Sequence, residues 1–221
     1  MRKLIVIAMV TLLATVAGIY YATREKPVEE RSSLTAYKLI NPVTLDGQIT
    51  GIEWDDAGFE NVIFLAPTDE LNYSGSIYTK HDDDWLYIAI VVMDSTSHIN
   101  NHAWVVFDAD DDDQILDPWT ESKDDAVEIP DSGGTPVSIR MDTATNHEWK
   151  DDIDLGGTDD AVVSGKQASG TCTYEMKKKL NSGDAAGNDI TLAEGNTILV
   201  VFQWGDYETG HMNLSISSSP K

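Results

Sequence analysis

The densest group of chemically active side chains is an acidic segment, residues 106–129, in which Asp and Glu greatly outnumber a single lysine. Asp108, Asp110 and Asp112 alternate along it, a spacing by which one short loop can turn several carboxylates toward a common point. Calcium takes about six to eight oxygen ligands, whereas magnesium tolerates such protein cages poorly. An EF-hand is excluded, because Asp113 stands where that loop requires glycine. We therefore predict a calcium-stabilised loop, with a solvated acidic loop as the alternative. The predicted ligands are Asp108, Asp110, Asp112, Asp117, Glu121 and Asp125.

Four aromatic residues lie in or beside polar loops and could bind a glycan. A flat aromatic face stacks on the apolar side of a pyranose ring, while Asp, Asn and Gln side chains satisfy its hydroxyl groups. Packing is the simpler interpretation of any one such residue, and Trp54 and Trp85 are better interpreted as core residues. The candidate glycan-binding residues are Trp119, Trp149, Trp204 and Tyr207.

Catalytic motifs are missing from the sequence. It contains no Gly-x-Ser-x-Gly elbow, phosphate-binding loop or dinucleotide fingerprint. The histidines are scattered, and His98 and His102, four residues apart, do not converge in a strand as they would on a helix. Carboxylates are so frequent in this chain that pairs of them do not indicate a glycosidase. The sequence therefore predicts a binding or structural protein rather than an enzyme.

Short apolar and β-branched runs alternate with clusters of Gly, Asn, Asp and Pro, which predicts an all-β fold, an antiparallel β-sandwich. Residues 85–93 are apolar at both parities, as in a central strand covered on both faces. Residues 171–180 alternate, which predicts a half-solvated strand. Lys178 falls on its apolar side, where a lysine usually snorkels at a strand end but could be a ligand. The predicted strands cover residues 61–66, 76–80, 85–93, 103–107, 126–129, 136–141, 161–165, 171–180, 197–204 and 213–217.

The N-terminus carries a targeting segment. Arg2 and Lys3 precede an apolar run that Arg24 closes, which predicts a hydrophobic helix over residues 1–22 that acts as a signal anchor or a signal peptide. We interpret residues 23–38 as a flexible tether and residues 39–221 as the ligand-binding domain. The domain is thus expected to be extracytoplasmic, either membrane-anchored through this segment or secreted. The lone Cys172 permits no internal disulfide.

The charge balance limits the partners of the chain. Its 221 residues carry a formal net charge of −23 at pH 7. Nucleic acids and anionic lipid surfaces are polyanions, so this charge repels both. Nucleic acid binding is therefore excluded.

Three segments together resemble a known superfamily: LDGQITGIEWDDA (residues 45–57), DDDWLYIAIVVMDST (82–96) and YEMKKKLNSGDAAGNDITLAEGNTILVVFQWGD (174–206). They are similar to the β-sandwich superfamily of family 9 carbohydrate-binding modules, DOMON domains and the haem-binding gamma subunit of ethylbenzene dehydrogenase. The last segment most resembles the ethylbenzene dehydrogenase branch. The resemblance implies a jelly-roll-like sandwich over roughly residues 40–217 and leaves the ligand open.

The same resemblance implies two alternative ligands. Haem-bearing relatives hold the iron of haem b between a methionine and a lysine, which points here to Met93 and Lys178, with Met141, Met176 and His147 as competitors. Such a protein would transfer electrons to a redox partner, and covalent haem is excluded because no Cys-x-x-Cys-His motif occurs. Sugar-binding relatives clamp a saccharide between exposed aromatic faces, which makes a carbohydrate-binding module the alternative. A structural or adhesion surface domain is the third interpretation.

Overall fold

The fold is known from a computed structural model. The structure describes residues 31–50, 52–66, 72–93, 102–109, 124–130, 137–142, 148–151, 153–154, 157–183 and 190–221, with the backbone alone for 137–142 and 148–151. The predicted targeting segment, residues 1–22, lies outside the described residues. Within the described ranges, no helical segment has the length and hydropathy to cross a lipid bilayer.

The described part of the chain is all-β, as the alternation of apolar runs and turn residues predicts. Each of the ten predicted strands overlaps an observed one, while β1, β8 and β12 were not predicted. The strands are β1 (Ser32–Lys38), β2 (Gly58–Phe64), β3 (Tyr73–His81), β4 (Trp85–Met93), β5 (His102–Phe107), β6 (Asp125–Pro130), β7 (Val137–Asp142), β8 (Glu148–Asp151), β9 (Ala161–Ala168), β10 (Thr171–Lys179), β11 (Thr197–Trp204), β12 (Tyr207–Glu208) and β13 (Met212–Ile216).

The strands form two layers, which we call the front sheet and the back sheet. The front sheet has the order β2-β3-β4-β10-β9, and the back sheet has the order β8-β7-β6-β5-β11-β13, with β12 also paired to β11. All of these pairs are antiparallel. Strand β9 lies against β6, so the two layers also approach each other at that side. The sandwich is therefore nearly closed.

Strand β1 joins the two sheets. Its residues 32–36 pair with β13 in the back sheet, and its last two residues pair with β3 in the front sheet. Both pairings are parallel, unlike the antiparallel ladders elsewhere in the described residues. The interpretation of residues 32–38 as part of a flexible tether was therefore wrong. Leu34 and Ala36 alternate with hydroxyl residues and face the core, and this short pattern is too weak to be recognised in the sequence.

The core lies between the two sheets and follows the two-residue period of the strands. On β4, the buried side chains of Leu86, Ile88 and Ile90 contribute to it, and on β10 Tyr174 and Met176 do so. Back-sheet residues meet them from the other side: Val105, Phe107, Val200, Phe202 and Trp204. The opposite parity of β4 and β10 faces outward on the front sheet, where the candidate site is found.

Candidate functional site

The outer face of the front sheet is divided into a covered half and an open half. Residues 39–50 and 52–57, which we call the strap, lie over the covered half and contact β3 and β9. Trp54 and Ala57 of the strap form a small buried cluster with Tyr87 and Ala89 of β4. In the open half Ile63 of β2 and Met93 of β4 are exposed. One continuous sheet therefore carries both a secondary core and an accessible surface.

One anchor of the strap is the carboxylate of Glu175, which is fully buried on β10. It accepts hydrogen bonds from the Asp46 amide at 2.8 Å, the Gly47 amide at 2.6 Å and the Trp54 Nε1–H at 3.1 Å. Burial raises the pKa of Glu175 above its ordinary value, because the effect of desolvation exceeds that of the three hydrogen bonds, which lower it. Three donors from one loop thus converge on a single charged group of the sheet.

The other anchor is the ammonium group of Lys80, which is fully buried on β3. Its Nζ donates to the Asn41 carbonyl at 2.9 Å, to the Glu53 carbonyl at 2.7 Å and to the carboxylate of Asp56. Burial acts to raise the pKa of Asp56, but hydrogen bonds from Lys80 and from two backbone amides outweigh it and hold that pKa below its ordinary value. The Lys80 cation therefore holds the strap near its start and near its end, while the Glu175 carboxylate holds its middle around Asp46 and Gly47.

Close backbone approach also fixes the strap on β9. Gly47 has φ +73°, in the left-handed region, and a Cβ placed there would lie 2.5 Å from the Cβ of Lys166. Only glycine satisfies both the backbone angle and the contact. The sequence therefore places Gly47 where the strap comes closest to the sheet.

The open half contains a shallow trough of about 420 Å³. Its polar side chains are those of one asparagine and two serines, and its apolar side chains come from β2 and β4. Ser76 donates a hydrogen bond to Asn61 at 3.2 Å across the β2–β3 ladder. Among the described residues, no charged side chain lines the trough, although the chain has a net charge of −23. The lining residues are Asn61, Val62, Ile63, Ser74, Gly75, Ser76, Val91 and Met93.

Two aromatic residues, which we call the rim, lie where the trough meets the strap. Phe59 and Tyr78 are paired across β2 and β3, with ring centroids 5.0 Å apart. Each lies two residues from a trough residue on the same face of its strand. Phe59 is 45% exposed, whereas Tyr78 also contacts the buried Trp54 ring at 6.1 Å. The rim therefore connects the strap with the trough.

The structure separates the two predicted haem ligands. Met93 ends β4 in the trough, opposite Thr171 of β10, and its side chain is on the outer face. Lys178 lies seven residues farther along β10, roughly 23 Å away at about 3.3 Å per residue, and faces the core. Together they cannot ligate one iron from opposite sides, so this pairing was wrong. Of the competitors, Met176 is a core residue, His147 lies outside the described residues, and Met141 is described by its backbone alone.

Lys178 is instead a buried member of an ion-pair group between the sheets. Its Nζ lies 2.8 Å from both carboxylate oxygens of Asp160 and 3.1 Å from Asp125 of β6. All three side chains are almost completely buried. A lysine that snorkels would leave its ammonium group in water, so the expected snorkelling position was also wrong. The ion pairs connect β10 to the back sheet.

The predicted calcium ligands are only partly described. Asp108, which follows β5, and Asp125, which begins β6, are buried at the base of the acidic segment. Asp125 also accepts a hydrogen bond from the Ile190 amide at 3.1 Å. Among the residues whose side chains are described, no three His, Cys, Asp or Glu side chains converge to hold a metal ion. The calcium site stays a prediction, since the other predicted ligands, Asp110, Asp112, Asp117 and Glu121, lie outside the described residues.

The predicted glycan-binding aromatics do not form one surface. Trp204 is fully buried and donates through Nε1 to the Tyr174 hydroxyl at 3.0 Å, so its interpretation as an exposed platform was wrong. Tyr207 is partly buried, with its ring 5.6 Å from that of Trp204. Trp119 lies outside the described residues, and Trp149 is described only by its backbone, which pairs with β7.

The expectation for Trp54 and Trp85 holds in part. Trp54 is buried between the strap and the front sheet, as predicted for a core residue. Trp85 is only half-buried, and the Nζ of Lys177 lies 4.4 Å from the centroid of its ring. Phe59, by contrast, was not singled out as a binding residue. The signal was present, because Phe59 and Ile63 share a parity of β2 that faces away from the core.

Comparisons with known proteins place the fold. No protein-family model matches the chain, and no curated protein matches it. A structure from Bacteroides uniformis described as "a putative carbohydrate-binding protein" is 11% identical, with 84% of this chain and 100% of that chain covered and a TM-score of 0.51. Two structures of a family 9 carbohydrate-binding module from Caldicellulosiruptor kristjanssonii also match. The one with glucose is 14% identical over 83% of this chain and 97% of that chain, at a TM-score of 0.47. The one with cellotriose is 13% identical over 83% of this chain and 95% of that chain, at a TM-score of 0.49. The chain therefore shares a β-sandwich fold with the Bacteroides protein.

Proposed function

We propose that this chain is a non-catalytic glycan-binding module that holds an extended, uncharged glycan in the trough. The observation that carries the proposal is the trough itself, an open, uncharged surface with amide and hydroxyl groups between apolar side chains and an aromatic rim. The predicted N-terminal targeting segment would place the module outside the cytoplasm. Its fold supports the proposal, since the Bacteroides protein of the same fold is described as "a putative carbohydrate-binding protein".

The chemistry of the trough suits a sugar. The exposed Phe59 ring offers a face for the apolar side of a pyranose, and Ile63 and Met93 extend the apolar surface. Asn61 and Ser74 carry donors and acceptors for hydroxyl groups. All of these residues lie on strands, so little conformational entropy is lost when a ligand binds.

Electrostatics narrows the class of glycan. The chain has a net charge of −23, and the described residues that line the trough include no cation that could compensate a uronate or sulfate group. The long-range field therefore disfavours polyanionic glycans. A neutral, extended oligosaccharide meets no such penalty.

Calorimetric titration of the protein with cellohexaose and xylohexaose tests the proposal, and polygalacturonate serves as the anionic comparison. We expect one of the neutral oligosaccharides to bind, and Phe59→Ala to weaken that binding about tenfold, as loss of one stacking contact would. The matched control is Val162→Ala, because Val162 is 42% exposed on the same sheet face but lies outside the trough. Absence of binding to either neutral glycan, or equal losses in the two variants, would count against the proposal.

A further inference from the structure

We propose that Glu175 is a positioning residue, a buried carboxylate that fixes the strap and thereby the aromatic rim of the trough. Its carboxylate gathers two backbone amides and one indole N–H from a loop more than a hundred residues away in the sequence. Buried polar groups without partners are costly, so loss of this acceptor would leave three donors unsatisfied at once. The inference concerns the strap directly, and its effect on binding rests on the proposed function.

A chain of contacts leads from Glu175 to the trough. The carboxylate holds Trp54 through its indole nitrogen at 3.1 Å, and the Trp54 ring contacts Tyr78 edge to face at 6.1 Å. Tyr78 in turn contacts the exposed ring of Phe59 at 5.0 Å. Glu175 itself does not line the trough. It therefore acts on a ligand only through the aromatic residues that it holds in place.

The Lys80 anchor cannot take over the role of Glu175 in holding the strap. Lys80 binds the strap at Asn41, Glu53 and Asp56. None of its contacts reaches the segment around Asp46 and Gly47, which lies over β9 and β10. If Glu175 releases that segment, the middle of the strap becomes free while Lys80 still holds the strap near its start and near its end.

Hydrogen exchange measured by NMR tests the inference without any ligand. In Glu175→Ala we expect the amides of Asp46 and Gly47 and the indole N–H of Trp54 to exchange at least about tenfold faster than in the wild type. Glu175→Gln keeps one carbonyl acceptor, which can serve the two backbone amides, whereas its amide nitrogen cannot accept from the indole of Trp54. Protection should therefore recover at Asp46 and Gly47 but not at the Trp54 indole N–H. The matched control is Met176→Ala, which removes the next side chain of β10 from the core and should leave these three protons protected relative to the rest of the sheet.

Two further measurements separate the inference from the proposed function. If Glu175→Ala does not fold, Glu175→Gln decides the question, and wild-type protection of the Trp54 indole N–H in that variant would contradict the inference. Binding of the neutral oligosaccharide should weaken in Glu175→Ala and recover only in part in Glu175→Gln, because the indole of Trp54 still lacks its acceptor. Unchanged exchange in Glu175→Ala would overturn the inference even if the glycan binds. If no glycan binds the wild type, the proposed function fails while exchange still decides the role of Glu175.

Discussion

The two halves of the front-sheet outer face are built on the same strands yet differ completely in their exposure. On β4, Tyr87 and Ala89 are buried beneath the strap, while Met93, on the same face farther along the strand, is 67% exposed. The strands alone do not determine this difference, because every second residue of each strand faces outward in both halves. Two buried charges, Lys80 and Glu175, hold the covering loop over one half only. A sheet face can thus be divided into core and binding surface by where a loop finds charged partners.

The largest expected effect comes from removing the cation under the strap. Lys80→Met keeps much of the side-chain volume but leaves the Asp56 carboxylate without its cation and two carbonyls without their donor. Breaking such a buried pair costs about 3–5 kcal/mol of the free energy of unfolding. Urea denaturation measures it. The control is Lys38→Met, which removes an exposed pair with Asp83 and should matter far less. Equal losses in both variants would show that the strap does not depend on the Lys80 anchor.

The second prediction concerns the contact of the strap with β9. Gly183→Ala is the control, because Gly183 has the same φ of +73° but open space around it, and it should cost about 1–2 kcal/mol. Gly47→Ala adds a clash with Lys166 and should cost about 1–3 kcal/mol more. Thermal and urea unfolding of both variants provides the comparison. A strap that tolerates Gly47→Ala as well as the control does not lie on β9 as described.

The third prediction is that two carboxylates, Glu175 and the Lys80 partner Asp56, make stability depend on pH in opposite directions. The raised pKa of Glu175 means that its contribution favours the fold at low pH and is lost as pH rises through that pKa. The lowered pKa of Asp56 means that its contribution is present above the ordinary carboxylate range and is lost as pH falls through the folded value. The test is the urea midpoint measured from about pH 3 to about pH 8. In Glu175→Gln the midpoint should depend less on pH than in the wild type above the ordinary pKa of a glutamate. In Asp56→Asn it should depend less on pH than in the wild type below the ordinary pKa of an aspartate. If both variants lost pH dependence in the same pH range, the prediction of opposite directions would be wrong.

The smallest expected effect lies in the open half. Met93→Ser replaces an exposed side chain that the core does not use, so the free energy of unfolding should change by less than about 0.5 kcal/mol. Ala89→Ser, the same kind of change beneath the strap, places a hydroxyl in the buried cluster and should be measurably more destabilising. The free energies of unfolding of the two variants, measured in urea, show where the covered half ends and the open half begins. A larger loss in Met93→Ser would mean that this surface is not open.

The periodic parts of the molecule could be predicted from the sequence, and the parts that depend on distant partners could not. The alternation around Tyr174 and Met176 correctly indicated which face of β10 meets the core. The same pattern wrongly indicated that Glu175 is solvated, because the loop that buries it is encoded far away and its donors are mainly backbone amides. Lys178 was correctly placed on the apolar side, but its two carboxylate partners come from other elements. The residue types of a site can be recognised from the local sequence. Which residues form ion pairs, and which loop covers a strand, depends on the tertiary fold.

Strand β1 has a consequence for how the molecule is made. It is the first strand of the described chain, yet it pairs with β13, the last strand, along residues 32–36. A ribosome delivers residues 32–36 long before residues 212–216, so β1 remains without its back-sheet neighbour until β13 has emerged. Contacts so distant in sequence slow the search for the native state. Joining of the two layers through this strand is therefore a late event, completed only after translation has passed residue 216.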